Sequence, residues 1–78
     1  MLQAVHDGWG ERVKGAREAH GLSQRFLAQL CGVDASTVCR IERGVLVPRD
    51  RQKWKIAGAL GVTVEELFPY PSVVPPAP

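Results

Sequence analysis

Arg40 and Arg43 stand three residues apart in a run, Ala35-Ser36-Thr37-Val38-Cys39-Arg40-Ile41-Glu42-Arg43, that has the apolar spacing of a helix. Turned by about 100° per residue from Ala35, the side chains of Ser36, Cys39, Arg40 and Arg43 share with Ala35 one face about 140° wide, while Val38 and Ile41 fall near 300° and 240°. The first face carries two arginines, one hydroxyl and two small residues. It is too polar to bury and slim enough to enter a groove about 12 Å wide.

Charge is distributed to match. Residues 40–55 hold six basic groups (Arg40, Arg43, Arg49, Arg51, Lys53 and Lys55) against Glu42 and Asp50, although the whole chain has a formal net charge of only +2. Clustered positive charge favours a polyanion, since each neutralised phosphate releases condensed counterions. On charge alone, a solvated basic face is an equal reading.

Other chemistries lack their residues. Ser23, Ser36 and Ser72 have cap, groove and tail explanations, and no Gly-x-Ser-x-Gly or phosphate-cradling glycine loop occurs, so no enzyme is expected. Cys31 and Cys39 are eight apart with only His6 and His20 for company, which specifies neither a zinc site nor a disulfide. Both are read as free thiols, and no metal or cofactor is expected. His20 precedes a helix-ending glycine, where a cation suits the C-terminal dipole.

The elements that must position the arginines follow from the punctuation. Glycines at 21, 32, 44 and 61 close helical segments, and Ser23, Asp34 and Thr63 stand just beyond three of them as N-cap candidates. Thr63-Val64-Glu65-Glu66 is a capping box. Asp50 is placed as the cap after the longest internal connection, Val45-Leu46-Val47-Pro48-Arg49. Five helices are expected, over about 9–20, 23–31, 35–43, 51–60 and 64–68, and no hairpin pattern is present, so the fold class is all-α.

The expected core stripes are Trp9, Val13 and Ala16, then Leu27, Ala28, Leu30 and Cys31, then Val38 and Ile41, then Trp54, Ile56, Ala57 and Leu60, and last Val64, Leu67 and Phe68. With 78 residues, of which 45% are hydrophobic and 23% charged, the chain makes one small globular domain. Its expected limits are 9–69, between an N-terminal arm at 1–8 and a proline-rich tail at 70–78 that is extended, with its last residues disordered. No stretch is apolar for long enough to span a bilayer and no secretory signal is visible, so the expected location is cytoplasmic.

The turn Gly32-Val33-Asp34 between the second and third segments makes a helix-turn-helix arrangement. Together with Leu22-Ser23-Gln24, Leu27-Ala28, Ser36-Thr37-Val38, Arg40-Ile41-Glu42-Arg43-Gly44 and Ile56-Ala57-Gly58-Ala59-Leu60-Gly61-Val62, the chain resembles the lambda-repressor-like family of the Cro/repressor type over residues 10–69. The resemblance implies a compact DNA-binding domain that acts as a transcriptional regulator, with a small phage or prokaryotic repressor as the preferred role. A protein-interaction module, or an antitoxin or controller protein on the same fold, is the alternative.

Residue by residue, the resemblance places Ser36 and Arg40 at base edges, with Ala35 able to meet only a thymine methyl. Gln24, Arg25, Thr37, Cys39, Arg43, Val45, Val47, Arg49 and Arg51 fall to the sugar–phosphate backbone, where Gln24 also braces the third helix. Lys53 and Lys55 are left to solvent. Arg17 and Glu42 match a structural salt bridge and are not expected to touch DNA. A homodimer on a palindromic operator is implied, formed in solution or only on DNA, with Leu67, Phe68 and Tyr70 as its contacts.

The chain departs from the family at three places. Val45-Leu46-Val47 replaces basic residues after Gly44, so the loop bonds phosphate through its amides or packs its apolar tip. Asp50 and Lys53 stand where leucine is common, and Trp54 is expected to supply the lost volume. Phe26 and Leu30 replace charged residues, forming an apolar ridge for which core packing under Trp9 is expected, a partner chain being the alternative.

Overall fold

A computed structural model describes residues 8–69, and it places five α-helices there: α1 (Trp9–Ala19), α2 (Gln24–Cys31), α3 (Ala35–Glu42), α4 (Asp50–Leu60) and α5 (Val64–Leu67). The described residues contain no strand. The expected arm at 1–8, apart from Gly8, and the tail from Tyr70 lie outside the described residues.

Local chemistry sets the boundaries. Gly21, Gly32, Gly44 and Gly61 take φ between 71° and 81°, a left-handed backbone that glycine adopts without a Cβ penalty. In each case the next residue donates back to a late helical carbonyl: Leu22 to Arg17, Val33 to Ala28, Val45 to Arg40 and Val62 to Ala57, all at 3.0 Å. At the starts, Ser23 Oγ accepts from the Phe26 amide at 2.9 Å, and Thr63 and Glu66 exchange the two bonds of a capping box at 3.1 and 2.9 Å.

Two expected caps differ. Asp34 holds the extended N-cap backbone of α3, yet its side chain makes no cap bond, and its carbonyl accepts from Thr37 and Val38 instead. Asp50 lies inside α4. Arg49 takes the cap position, where its own amide donates to Gln52 Oε1 at 3.1 Å.

α3 packs between α1 and α2, α4 crosses α2, and α5 closes the bundle against α4 and α1. Their inward faces meet in one core of Trp9, Val13, Leu27, Ala28, Cys31, Val38, Ile41, Ile56, Ala57, Leu60, Leu67 and Phe68. Each of its large side chains contributes roughly 1.5–3 kcal/mol by leaving water. Trp9 meets Phe68 edge to face with centroids 5.3 Å apart, and its indole N–H donates to the Pro69 carbonyl at 2.8 Å, which fastens the start of α1 to the end of α5.

α4 corrects the expected core by one residue. Trp54 is 75% exposed, whereas Lys53 is buried at 5%. Turned from Asp50, the buried Ile56, Ala57 and Leu60 point to about 240°, 340° and 280°, so position 53 at about 300° lies in the middle of the inward arc and position 54, near 40°, lies outside it. Lys53 tolerates the place because its ammonium sits 4.4 Å from the Trp9 ring centroid and 5.9 Å from that of Phe68, with Asp50 Oδ1 at 3.8 Å. The lost volume is filled by the lysine stem under two aromatic rings.

Two further core and interface expectations are overturned. Phe26 and Leu30 are 48% and 52% exposed, because α2 turns Leu27, Ala28 and Cys31 inward and Trp9 is already engaged with Phe68 and Lys53. Leu67 and Phe68, at 3% and 2%, belong to this chain's own core and offer no surface to a second copy. Tyr70, the third expected dimer contact, lies outside the described residues.

Candidate nucleic-acid interface

α3 is held at three points. Val38 and Ile41 anchor it in the core at 1% and 2% exposure. Its C-terminal carboxylate, Glu42, is gripped by Arg17 of α1, whose Nε donates to Oε2 at 2.6 Å and whose second terminal nitrogen donates to Oε1 at 3.1 Å. The same guanidinium donates to the Leu22 carbonyl at 2.8 Å, and Gln24 Nε2 donates to Glu42 Oε1 at 2.9 Å. One buried carboxylate thus receives α1 and the first residue of α2, and every buried side-chain polar atom among the described residues is bonded. The bond to Glu42 raises the Arg17 pKa above its ordinary value, against the opposing pull of burial.

Backbone contact completes the seat. Gly10, in the first turn of α1, lies directly on the last carbonyls of α3, where a Cβ would overlap Glu42 O. Nothing in the periodicity pointed to this residue. Its one signal is a glycine inside a helix, where alanine is intrinsically better by about 1 kcal/mol.

What remains exposed on α3 is Ser36, Arg40 and Arg43, with Ala35, Thr37 and Cys39 half-buried beside them. Ala35 packs partly on the core. The helix has one acidic residue, Glu42, and its side chain is 4% exposed. From Ala35 to Arg43 the outward surface is therefore cationic and hydroxylated, and the exposed carboxylate of Asp34 stands at the N-cap, ahead of that face.

The other expected contacts lie on α2, in the loop after α3 and at the start of α4. Gln24 is half-buried and gives one N–H of its amide to Glu42, leaving the second N–H and the oxygen, while Arg25 beside it is exposed. In the loop after α3, Leu46 turns onto the core and leaves Val45 and Val47 at 65% and 45% exposure. Arg49 and Arg51 are exposed, Arg51 on the outward face of α4 in a hollow shared with Trp54 and Lys55. Cys31 and Cys39 are both free thiols, the former buried. The described residues contain no cluster of three or more His, Cys, Asp or Glu able to hold a metal, and no helix long and apolar enough to cross a membrane.

Two helices joined by a glycine-led turn, the second seated by its apolar side and presenting arginines outward, define a helix-turn-helix DNA-binding domain. A family model described as Helix-turn-helix matches residues 13–67, and the chain belongs to that family, the Cro/C1 type. An uncharacterised HTH-type transcriptional regulator of Methanocaldococcus jannaschii is 37% identical over 59 residues, covering 76% of this chain and 89% of its own.

Solved structures agree. The restriction-modification controller protein C.AhdI of Aeromonas hydrophila superposes with a TM-score of 0.74 at 42% identity, over 77% of this chain and 91% of that one. An HTH_3 family transcriptional regulator of Vibrio cholerae does so at 0.77 and 31% identity, over 87% of this chain and 38% of that one. The chain is a DNA-binding transcriptional regulator with an all-α helix-turn-helix fold.

Proposed function

We propose that the protein is a prokaryotic or phage repressor, acting in the cytoplasm, that lays α3 in the major groove of an operator. Arg40 bonds guanine O6 and N7 through its two-pronged guanidinium, Ser36 contacts a neighbouring base edge, and Ala35 rests on a thymine methyl. Gln24, Arg25, Thr37, Cys39, Arg43, Val45, Val47, Arg49 and Arg51 meet the sugar–phosphate backbone and set the register, Val47 through its amide and Val45 through its exposed side chain. One observation carries the reading: Glu42, the one carboxylate within α3, is sequestered by Arg17 and Gln24 while Ser36, Arg40 and Arg43 stay exposed. A domain of this size covers few base pairs, and two copies on half-sites of a palindrome supply the rest of the specificity.

Similarity to C.AhdI over 91% of that chain favours a second reading within the same activity, a controller protein of a restriction–modification operon. Selection of bound sequences from random duplexes tests both. The expected product is a motif with two-fold symmetry and a guanine under Arg40. Failure to enrich any duplex at low salt replaces the DNA reading by an interaction module.

A further inference from the structure

Three large apolar side chains stand exposed where α2 and α4 adjoin. Phe26 and Leu30 lie one turn apart on the outward side of α2, each about half exposed, and Leu30 borders a shallow groove with Trp54 of α4, which is 75% exposed. The same groove takes in Gly32 and Gly58, where an added Cβ would meet nothing within 4 Å, so it is open. No described residue covers the indole. Grouped apolar surface of this kind marks a site of interaction, whereas single exposed residues need no explanation.

Charge selects the occupant. Turned from Asp50, α4 presents Trp54 near 40°, Gly58 near 80°, Arg51 near 100° and Lys55 near 140°. The open strip of the helix thus has a carboxylate along one side and two cations, one turn apart and both exposed, along the other. Asp50 has the ammonium of Lys53 at 3.8 Å, which offsets part of its charge. The only charged residue of α2 is Arg25. Asp34, at the α3 N-cap, is not among the residues bordering the groove, and Glu65 and Glu66 border a separate hollow with Arg12. The surface is therefore net positive, and a second copy of the chain would meet its own excess of cations.

We propose that this surface docks an acidic segment of another protein, with carboxylates on Arg51 and Lys55 and one large apolar side chain between Leu30 and Trp54. A single-stranded nucleic acid also stacks on exposed indoles, but it carries a charge at every nucleotide and would run against Asp50. A peptide gathers its carboxylates on the side of the cations and leaves the side toward Asp50 neutral. The apolar anchor supplies most of the affinity and the cations set its orientation.

The test uses the full chain without DNA, so its result stands apart from the operator reading. Short random peptides displayed on phage are selected on the immobilised protein, and the best is synthesised and titrated. Enriched sequences are expected to be rich in Asp and Glu, with a Trp, Phe or Leu among them. Arg25 and Arg51 are also among the phosphate contacts proposed above, so the variants are made at Trp54 and Lys55, which are not. Trp54→Ala, at an exposed position, is expected to keep the melting temperature and to weaken the synthetic peptide about tenfold. Lys55→Glu is expected to weaken it by a similar factor. The same peptide with its acidic residues changed to lysine is expected to bind Lys55→Glu better than it binds the wild type.

Enrichment of peptides without acidic residues overturns the proposal, as does failure to enrich any. So does a peptide that binds Trp54→Ala or Lys55→Glu as well as it binds the wild type. Displacement of the peptide by oligo-dT would assign the surface to single-stranded nucleic acid, and self-association lost in Trp54→Ala on sedimentation would assign it to a second copy. Either result overturns the proposal.

Discussion

The backbone of Gly10 lies against the backbone of Glu42, so close that a Cβ on residue 10 would overlap the Glu42 carbonyl oxygen and stand 2.6 Å from that of Ile41. The first turn of α1 is thereby a seat for the last turn of α3. Gly10→Ala must displace one helix from the other, and overpacking of this kind costs about 1–3 kcal/mol. Thermal unfolding is expected to show that loss despite the better helix propensity of alanine. An unchanged or raised melting temperature would show that α1 withdraws freely and that the seat is not tight.

Glu42 is the second hold on α3. Glu42→Gln keeps the shape but leaves the Arg17 guanidinium, whose side chain is only 11% exposed, with the more distant and exposed Glu18 carboxylate, 3.9 Å away, as its remaining counter-charge. Breaking one partner of a buried pair costs about 3–5 kcal/mol, and chemical denaturation is expected to show most of it. A loss no larger than that of an exposed pair, about 1 kcal/mol or less, would mean that water solvates Arg17.

At the reading face, Arg40→Ala is expected to reduce affinity for the selected operator by about 1–3 kcal/mol and to relax preference at one base pair. Competition binding with operators varied at each position reads this directly. Equal weakening on unrelated duplexes would move Arg40 to the phosphate backbone.

Arg43, at the exposed end of α3, has the opposite expectation. Arg43→Ala weakens binding to all duplexes alike and lowers the slope of log affinity against log salt by about one. An operator titration at several salt concentrations checks it, and an unaltered slope excludes Arg43 from the phosphates.

Burial pushes the Cys31 thiol above its ordinary pKa, with Lys55 pulling more weakly the other way. The folded thiol thus keeps its proton at a pH where the unfolded one has lost it, so the unfolded state is favoured as pH rises through the ordinary thiol range. Denaturation midpoints are expected to fall between about pH 8 and about pH 10, and less so in Cys31→Ala. Half-buried Cys39 is expected to react first with a thiol reagent in the native protein. Simultaneous labelling of both thiols would contradict the burial.

Most of the architecture is legible in the chain because it is local. Ser23, Thr63 and the four C-terminal glycines each act within one turn of themselves, so their effect needs no knowledge of the fold. The exposed side of α3 is legible for a related reason: Val38 and Ile41 fix which way the helix faces, and Ser36, Arg40 and Arg43 follow from the helical period. Gly10 and the bond from Gln24 to Glu42 are not legible in this way, because each joins residues from separate helices.

By itself the sequence determined five helices, the caps at Ser23 and Thr63, the closing glycines and a basic face on the third. Tertiary structure decided how α4 is rotated, with Lys53 beneath Trp9 and Phe68 and Trp54 turned to solvent. The physical reason is that polarity ranks residues one at a time, whereas burial belongs to a direction in space. Ile56, Ala57 and Leu60 set that direction for α4, and a lysine whose stem is apolar and whose charge meets aromatic faces can occupy it.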